Sequence, residues 1–219
     1  MARPRISSPS GFVDAGILSA FVPSVSTRSD IMDSTLLAQL AADKKHSRFA
    51  APSDWYDSYL STLSHLTWQI SGFTVQQYVP SGDMFTLEEV VLDTLKGLAA
   101  EGEVDIVREA IRTFDRLPEE DRRVLVYEQF SRSSHIIDLQ VSVANDSSTL
   151  LSLGVVLETE QKVAGLFREE IPVSQLVGQI RTLLFRGSLS AKAYAPLRKE
   201  VIDKLGARRQ ELILSLDLS

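Results

Sequence analysis

The chain has 219 residues and a formal net charge of −6, and its Lys and Arg residues are not clustered as phosphate binding requires, so we expect no nucleic-acid partner. It contains no cysteine, which excludes disulfides, thiolate metal sites and cysteine nucleophiles. No apolar run is long enough for a transmembrane helix. We therefore expect a cytoplasmic protein, although the N-terminal segment leaves organelle targeting and secretion open.

Residues 1–29 differ in composition from the rest of the chain. The segment MARPRISSPSGFVDAGILSAFVPSVSTRS is rich in Ser, contains three prolines and has Asp14 as its only acidic residue. Its apolar part predicts an arm that needs a surface to lie on, and a transit peptide or a membrane-active segment are the alternatives. The candidate interface residues of this arm are Phe12, Val13, Ile17, Leu18, Phe21 and Val22.

Two amphipathic helices are predicted next, in IMDSTLLAQLAADKK and in DWYDSYLSTLSHL. In the second, a spacing of about 100° per residue places Trp55, Tyr59 and Leu63 on one face, which predicts that they belong to the core. Asp57 and Ser61 fall on the opposite face. The following stretch TWQISGFTVQQYV is predicted to be extended, since its apolar residues alternate with polar ones. Trp68 leaves the helical stripe and is the candidate for lining a pocket.

Two further helices are predicted in TLEEVVLDTLKGLAA and EVDIVREAIRTFDRL. The first begins with a capping box formed by Thr86 and Glu89. The second carries an apolar stripe that ends with Phe114 and stops before Pro118. Residues 122–130 fit a helix as well as a strand.

The second half of the chain changes to a two-residue period. IIDLQVSV and LLSLGVVLE, separated by NDSS, predict a β-hairpin near residues 136–158 with one buried face. Further strands are predicted in VAGLFREEI and IRTLLFRGSL, and a closing helix in YAPLRKEVIDKLG. The predicted fold class is α+β, with N-terminal helices followed by an antiparallel sheet and a C-terminal helix. We expect one domain over residues 30–219, preceded by the arm of residues 1–29.

Three blocks carry a resemblance to other proteins: STLLAQLAADKK, WYDSYLSTLSHLTWQISGF and YAPLRKEVIDKLG. In combination they resemble a scattered family of uncharacterised bacterial and fungal proteins, over roughly residues 30–219. Thr67 stands where that family commonly has Gly, and the apolar arm looks like an addition. The resemblance implies a shared fold and no site residues, because the family has no established activity.

The sequence offers no catalytic constellation. It has no phosphate-binding loop, no dinucleotide fingerprint, no zinc-protease motif and no nucleophile elbow. His46, His65 and His135 lie far apart, without metal-ligand spacing. The polar stretches SRSSHIID and DRLPEEDRR are typical of exposed loops. We therefore predict no catalytic, cofactor-binding or metal-binding residues and no cofactor.

The leading functional hypothesis is a non-enzymatic protein that acts through self-association or by binding a protein partner, with the arm as the interface. It rests on contiguous apolar residues outside a domain that looks complete without them. One alternative is a membrane-active, toxin-like or virulence-type factor that inserts the arm at a bilayer surface. Another is a small-molecule binder or an enzyme with its pocket near Trp68.

Overall fold

The fold is a mixed β-sheet that lies between two layers of helices. The computed structural model describes residues 8–145 and 148–218. Its helices are α1 Arg28–Asp43, α2 Pro52–His65, α3 Leu87–Leu95, α4 Glu101–Asp115, α5 Arg122–Ser131, α6 Ala191–Tyr194, α7 Arg198–Leu205 and α8 Arg208–Leu212. Its strands are β1 Ser10–Asp14, β2 Ile17–Phe21, β3 Trp68–Tyr78, β4 Met84–Phe85, β5 Arg132–Ser133, β6 Ile136–Ala144, β7 Thr149–Glu158, β8 Ile171–Pro172, β9 Ile180–Leu189 and β10 Ile213–Leu216.

The main sheet has the strand order β10-β1-β2-β6-β7-β9-β3, and β5 pairs with β6 beside this path. β2 and β6 run parallel, with Leu18 opposite Val141. The other neighbouring pairs are antiparallel. β4 and β8 form a separate small ladder. The two ends of the sheet are therefore β10, close to the end of the chain, and β3, which follows directly after α2.

The α+β class is confirmed, but the predicted order of elements is wrong because the described chain begins with strands. β1 and β2 form a hairpin inside the main sheet, where β1 pairs with β10 and β2 pairs with β6. The expected boundary at residue 29 is therefore not a domain boundary: residues 10–21 belong to the domain that follows. The first seven residues of the predicted arm lie outside the described residues.

Two separate apolar cores lie on the two faces of the sheet. One lies beneath α3, α4 and α5 and includes Leu139, Leu153, Val107 and Phe114. The other lies beneath α1, α2 and the C-terminal helices and includes Trp55. The predicted hairpin of β6 and β7 is confirmed, but the single buried face is wrong, since both strands are buried on both sides. Helices cover both faces, so the polar residues that alternate along β6 are also buried.

Local signals for helices agree well with the structure. Trp55, Tyr59 and Leu63 are fully buried in α2, whereas Asp57 and Ser61 are exposed, as predicted. The capping box at the start of α3 is present, as expected. The open interpretation of residues 122–130 resolves as helix α5, whose N-cap side chain accepts a hydrogen bond from the Arg123 amide.

One predicted strand is wrong. The stretch VAGLFREEI forms no strand before Ile171, the first residue of the two-residue strand β8. Val163, Leu166 and Phe167 are buried in the core beneath α3 and α4, although they lie in irregular chain. Their apolar character reflects packing of a loop and not pairing of a strand.

Candidate functional site

The predicted interface residues of the arm belong to the protein's own core. Val13, Ile17, Leu18 and Phe21 are fully buried, so their interpretation as an exposed interface is wrong. Phe12 and Val22 are half-buried and pack against the core beneath α1. The Phe12 ring meets the Phe21 ring edge-to-face at 5.8 Å, and the Arg28 guanidinium lies 5.5 Å from the centre of the Phe21 ring. These residues anchor the first hairpin to the rest of the domain.

Trp68 lies in the core of the domain. It is buried, and its indole Nε1 donates a hydrogen bond to Ser34 Oγ at 3.0 Å. Thr67 before it has φ +68°, a left-handed conformation that ends the C-terminal turn of α2 and redirects the chain into β3. The prediction that the helix ends near Thr67 is confirmed. The prediction that Trp68 stands at the mouth of a pocket is not supported by its place in the core.

The open edge of the sheet at β3 is an unpartnered feature of the described chain. β3 has 11 residues and pairs with β9 from Trp68 opposite Leu189 to Tyr78 opposite Ile180. No strand among the described residues pairs with its other side. A bulge near Ser71 interrupts the register, and from Gly72 to Tyr78 the pairing is regular. This regular part presents a row of backbone N–H and C=O groups to solvent.

The composition of β3 leaves this edge unprotected. Its sequence WQISGFTVQQY contains no charged residue and no proline, the residue types that usually prevent sheets from joining at their edges. Residues 71–77 are all exposed. Phe73 is 40% exposed and Val75 52% exposed. They pair with Phe185 and Leu183, which belong to the core beneath α1 and α2, so their side chains lie on that face of the sheet. An exposed apolar edge of this kind is typical of a site for strand addition.

The opposite edge at β10 is shorter than β3, although its sequence ILSL is equally free of charged residues and proline. β10 has four residues, and its backbone lies beside basic side chains of α5. Arg122 donates a hydrogen bond to the carbonyl oxygen of Glu211, and Arg123 donates one to that of Ser215. A short edge that carries charged side chains resists the addition of a strand. The two ends of one sheet therefore differ in length and in the basic side chain that bonds the β10 backbone.

A buried polar cluster between the sheet and the first two helices is the second feature that could serve a function. Arg48 and Asp138 are both buried, with Nε and Oδ1 at 3.5 Å. Tyr56 donates a hydrogen bond to Asp138 at 3.0 Å, and Arg48 donates one to the carbonyl oxygen of Phe130 at 2.9 Å. The Arg48 guanidinium also lies 4.2 Å from the centre of the Trp55 ring, a cation–π contact.

Ionisation in this cluster is governed by burial. Burial raises the pKa of the Asp138 carboxyl, while the Arg48 charge and the Tyr56 hydroxyl act in the opposite direction. Burial also raises the pKa of the Tyr56 hydroxyl well above its ordinary value, so Tyr56 stays protonated and acts as a donor. Burial lowers the pKa of Arg48, but Asp138, Tyr56 and Asp43 together more than offset this effect, so the pKa is raised and the guanidinium keeps its proton.

Two glycines make room for the cluster. A β-carbon on Gly154 would overlap the Tyr56 hydroxyl, and one on Gly16 would overlap the Arg48 guanidinium. Gln140 extends the network by donating a hydrogen bond to Ser152 Oγ at 2.8 Å. Each member thus packs against another part of the protein, and the cluster joins the helices to the sheet.

A surface cleft lies at the C-terminal end of β7 and the N-terminal end of β9. It has a volume of about 410 Å³, and its lining includes Phe49, Val156, Glu158 and Arg181. Neither Arg48 nor Asp138 lines it. Arg48 and Asp138 therefore do not face this cleft directly, although the charge of Arg181 in its lining acts to lower the pKa of Asp138.

The other residues considered in the sequence do not come together either. His135 lies in the turn between β5 and β6, where its carbonyl oxygen accepts a hydrogen bond from the Thr159 amide. His65 is exposed at the end of α2. In the part of the chain that the structure describes, no group of three or more His, Asp or Glu side chains could hold a metal ion. Within the same residues, none of the helices combines the length and the apolar character that crossing a bilayer requires.

Neither protein-family models nor curated protein sequences match the chain.

Proposed function

We propose that this protein works by associating with another polypeptide, which adds a strand to its sheet at the open edge of β3. The observation that carries the proposal is the regular, uncharged and exposed edge from Gly72 to Tyr78. A strand that pairs there gains main-chain hydrogen bonds along its length, and its alternate side chains meet Phe73 and Val75. The protein acts as a binding or assembly component in this proposal, and no catalytic step is assigned to it.

The contrast with β10 supports an edge that is kept open for binding. Charged residues, proline or a covering loop commonly block such an edge. Basic side chains lie at the β10 edge, where Arg123 donates a hydrogen bond to the Ser215 carbonyl oxygen of the strand and Arg122 donates one to that of Glu211 in α8, just before it. A bulge can also block an edge, and β3 has one near Ser71. It leaves the outward-facing backbone groups of Gly72–Tyr78 available for pairing.

The two alternative functions lose the features on which they rested. The apolar segment assigned to membrane insertion supplies β1 and β2 of the main sheet. Trp68, assigned to a pocket, is buried against Ser34. The proposal keeps the expectation of an association protein, while the interface moves from the arm to β3.

The test uses a displayed library of random peptides selected on the full-length protein. We expect enriched peptides with alternating apolar residues whose binding is lost in Val75→Lys, because a charge on the edge opposes the pairing of a strand. Leu125→Lys is the matched control: Leu125 is 55% exposed, close to the 52% of Val75, but lies on α5. The proposal is overturned if no peptide depends on Val75 and the mass of the protein in solution does not depend on Val75 either.

A further inference from the structure

We infer that the chain which occupies the β3 edge is a second copy of this protein, paired antiparallel with the first about a two-fold axis at Thr74. This inference rests on the proposed function and names the partner. Two identical strands that pair antiparallel form a closed, isologous contact, so a dimer satisfies both open edges at once. The two main sheets then become one continuous sheet, with each β3 in its interior.

The absence of charge along β3 suits a contact between two copies. Each copy carries a formal net charge of −6, so two copies repel each other, and a contact surface without charged residues adds no further local repulsion. The whole of β3 is such a surface, because Trp68–Tyr78 contains no Asp, Glu, Lys or Arg. Like charges directly opposite each other destabilise a pair of strands, and here none oppose.

The register follows from the apolar side chains. With Thr74 on the two-fold axis, Phe73 of each copy lies directly opposite Val75 of the other, and both lie on the same face of the joined sheet. Aromatic and β-branched residues are a favourable cross-strand pair. The half-exposed surfaces of Phe73 and Val75 then cover each other. In the same register Gly72 lies opposite Gln76 of the second copy.

The residues on either side of the regular part of β3 set the limits of the contact. The bulge near Ser71 disturbs the edge on one side, and Pro80, which has no N–H to donate, follows shortly after the other end of the strand. The regular stretch Gly72–Tyr78 between them contains Thr74 together with the two residues on each side of it. The contact that the register requires therefore falls entirely within the regular part of β3.

The first experiment measures mass in solution by sedimentation over a wide concentration range. We expect the full-length protein to reach a particle of twice the chain's 24.3 kDa, and Val75→Lys to shift this equilibrium toward the monomer. Leu125→Lys should dimerise as the parent does. A parent that stays monomeric at all concentrations overturns the inference, while peptides that bind in a Val75-dependent way would leave the proposed function standing. A dimer that Val75→Lys leaves unchanged overturns the inference as well.

The second experiment tests the register, and the absence of cysteine from the chain makes it clean. Under a mild oxidant, Thr74→Cys should form a disulfide-linked dimer with itself, and a mixture of Phe73→Cys and Val75→Cys should form the mixed dimer. Gln69→Cys is the control: it is exposed on the same strand, but in this register it lies far from its copy. Self-linking that is fastest for Val75→Cys, or equal linking at Gln69, overturns the assigned register.

Discussion

The two faces of the central sheet are built from the same strands but on different principles. Toward α3, α4 and α5 the sheet presents Leu139, Val141, Leu153 and Val155, and the core there is apolar. Toward α1 and α2 the alternate positions of β6 carry Asp138, Gln140 and Ser142, all of them buried. Adjacent residues of β6 therefore point to different environments: one face is an apolar core, and the other combines an apolar core with a buried polar network.

The difference predicts how each face responds to substitution. An apolar core depends mainly on volume, so it tolerates exchange between hydrophobic side chains of similar size. A buried polar network depends on pairing, because a donor, an acceptor or a charge left without its partner incurs the full cost of desolvation. The polar face should thus be the less tolerant one.

The largest effect is expected for Arg48→Met, which keeps a long side chain but removes the charge opposite Asp138. Breaking a buried ion pair leaves a buried charge without compensation, and we expect a loss of about 3–5 kcal/mol in the free energy of unfolding. Denaturant titration measures this loss. Arg112→Met is the matched control, since Arg112 faces Glu88 at 3.7 Å with its side chain 49% exposed, and there the loss should be about 0–1 kcal/mol. Equal losses would remove the distinction between the two sites.

A second prediction compares adjacent strands across the two faces. Gln140→Leu removes the donor to Ser152 Oγ and the amide oxygen 3.5 Å from Arg48, and we expect a loss of about 1–3 kcal/mol. Leu153→Met changes a residue of the apolar face with little change in volume and should lose less than about 1.5 kcal/mol. Unfolding of the two variants under identical conditions gives the comparison. A larger loss for Leu153→Met would reverse the assignment of the less tolerant face.

A third prediction addresses space on the polar face. Gly154→Ala places a β-carbon against the Tyr56 hydroxyl, so Tyr56 must move and its hydrogen bond to Asp138 must lengthen. Overpacking of this kind lowers the free energy of unfolding by about 1–3 kcal/mol. Gly102→Ala is the control, because nothing lies near a β-carbon there and the position is inside α4, where alanine is favoured over glycine. We expect Gly102→Ala to be neutral or stabilising.

How much of this could be predicted from the sequence depends on the range of the interactions. The strict alternation in β6 and β7 and the stripe of α2 are local patterns, and both predictions are confirmed. The same alternation could not show that Asp138 is buried, because a polar residue on a strand looks the same whether water or a second layer of helices covers it. The signal that was available is the number of amphipathic helices, which exceeds what one face of a sheet can hold.

The place of the first hairpin in the main sheet could not be predicted, for a related reason. GFVDAGILSAF has two apolar runs around Ala15 and Gly16, which is a hairpin signal in itself, but its partners β6 and β10 lie far along the chain. Without them the segment looks like an apolar arm. The candidate site shows the same limit: the extended structure of β3 was predicted from its pattern, whereas its place at the edge depends on which strands pair with β9.

The last prediction is one of pH, and it concerns a second buried carboxyl, on β1 beneath α1. Asp14 is fully buried and accepts a hydrogen bond from Thr35 Oγ1 at 2.6 Å. Burial raises the pKa of the Asp14 carboxyl well above its ordinary value of 3.8; the hydrogen bond from Thr35 opposes this shift, and the nearby Asp33 charge adds to it. In the pH range between 3.8 and the raised pKa, the folded protein holds a proton that the unfolded chain releases.

The sign of the pH effect follows from this difference in bound protons. The stability contributed by protonated Asp14 is fully present below the unfolded pKa and is lost as the pH rises through the folded pKa. Asp14→Asn cannot ionise, so its free energy of unfolding should fall less steeply with rising pH than that of the parent. Asp57→Asn, an exposed position on α2, should keep the slope of the parent. Denaturant titrations over a series of pH values measure the three slopes. If Asp14→Asn and the parent share one slope, Asp14 is already ionised in the fold, and a cation or donor must compensate its charge on the polar face.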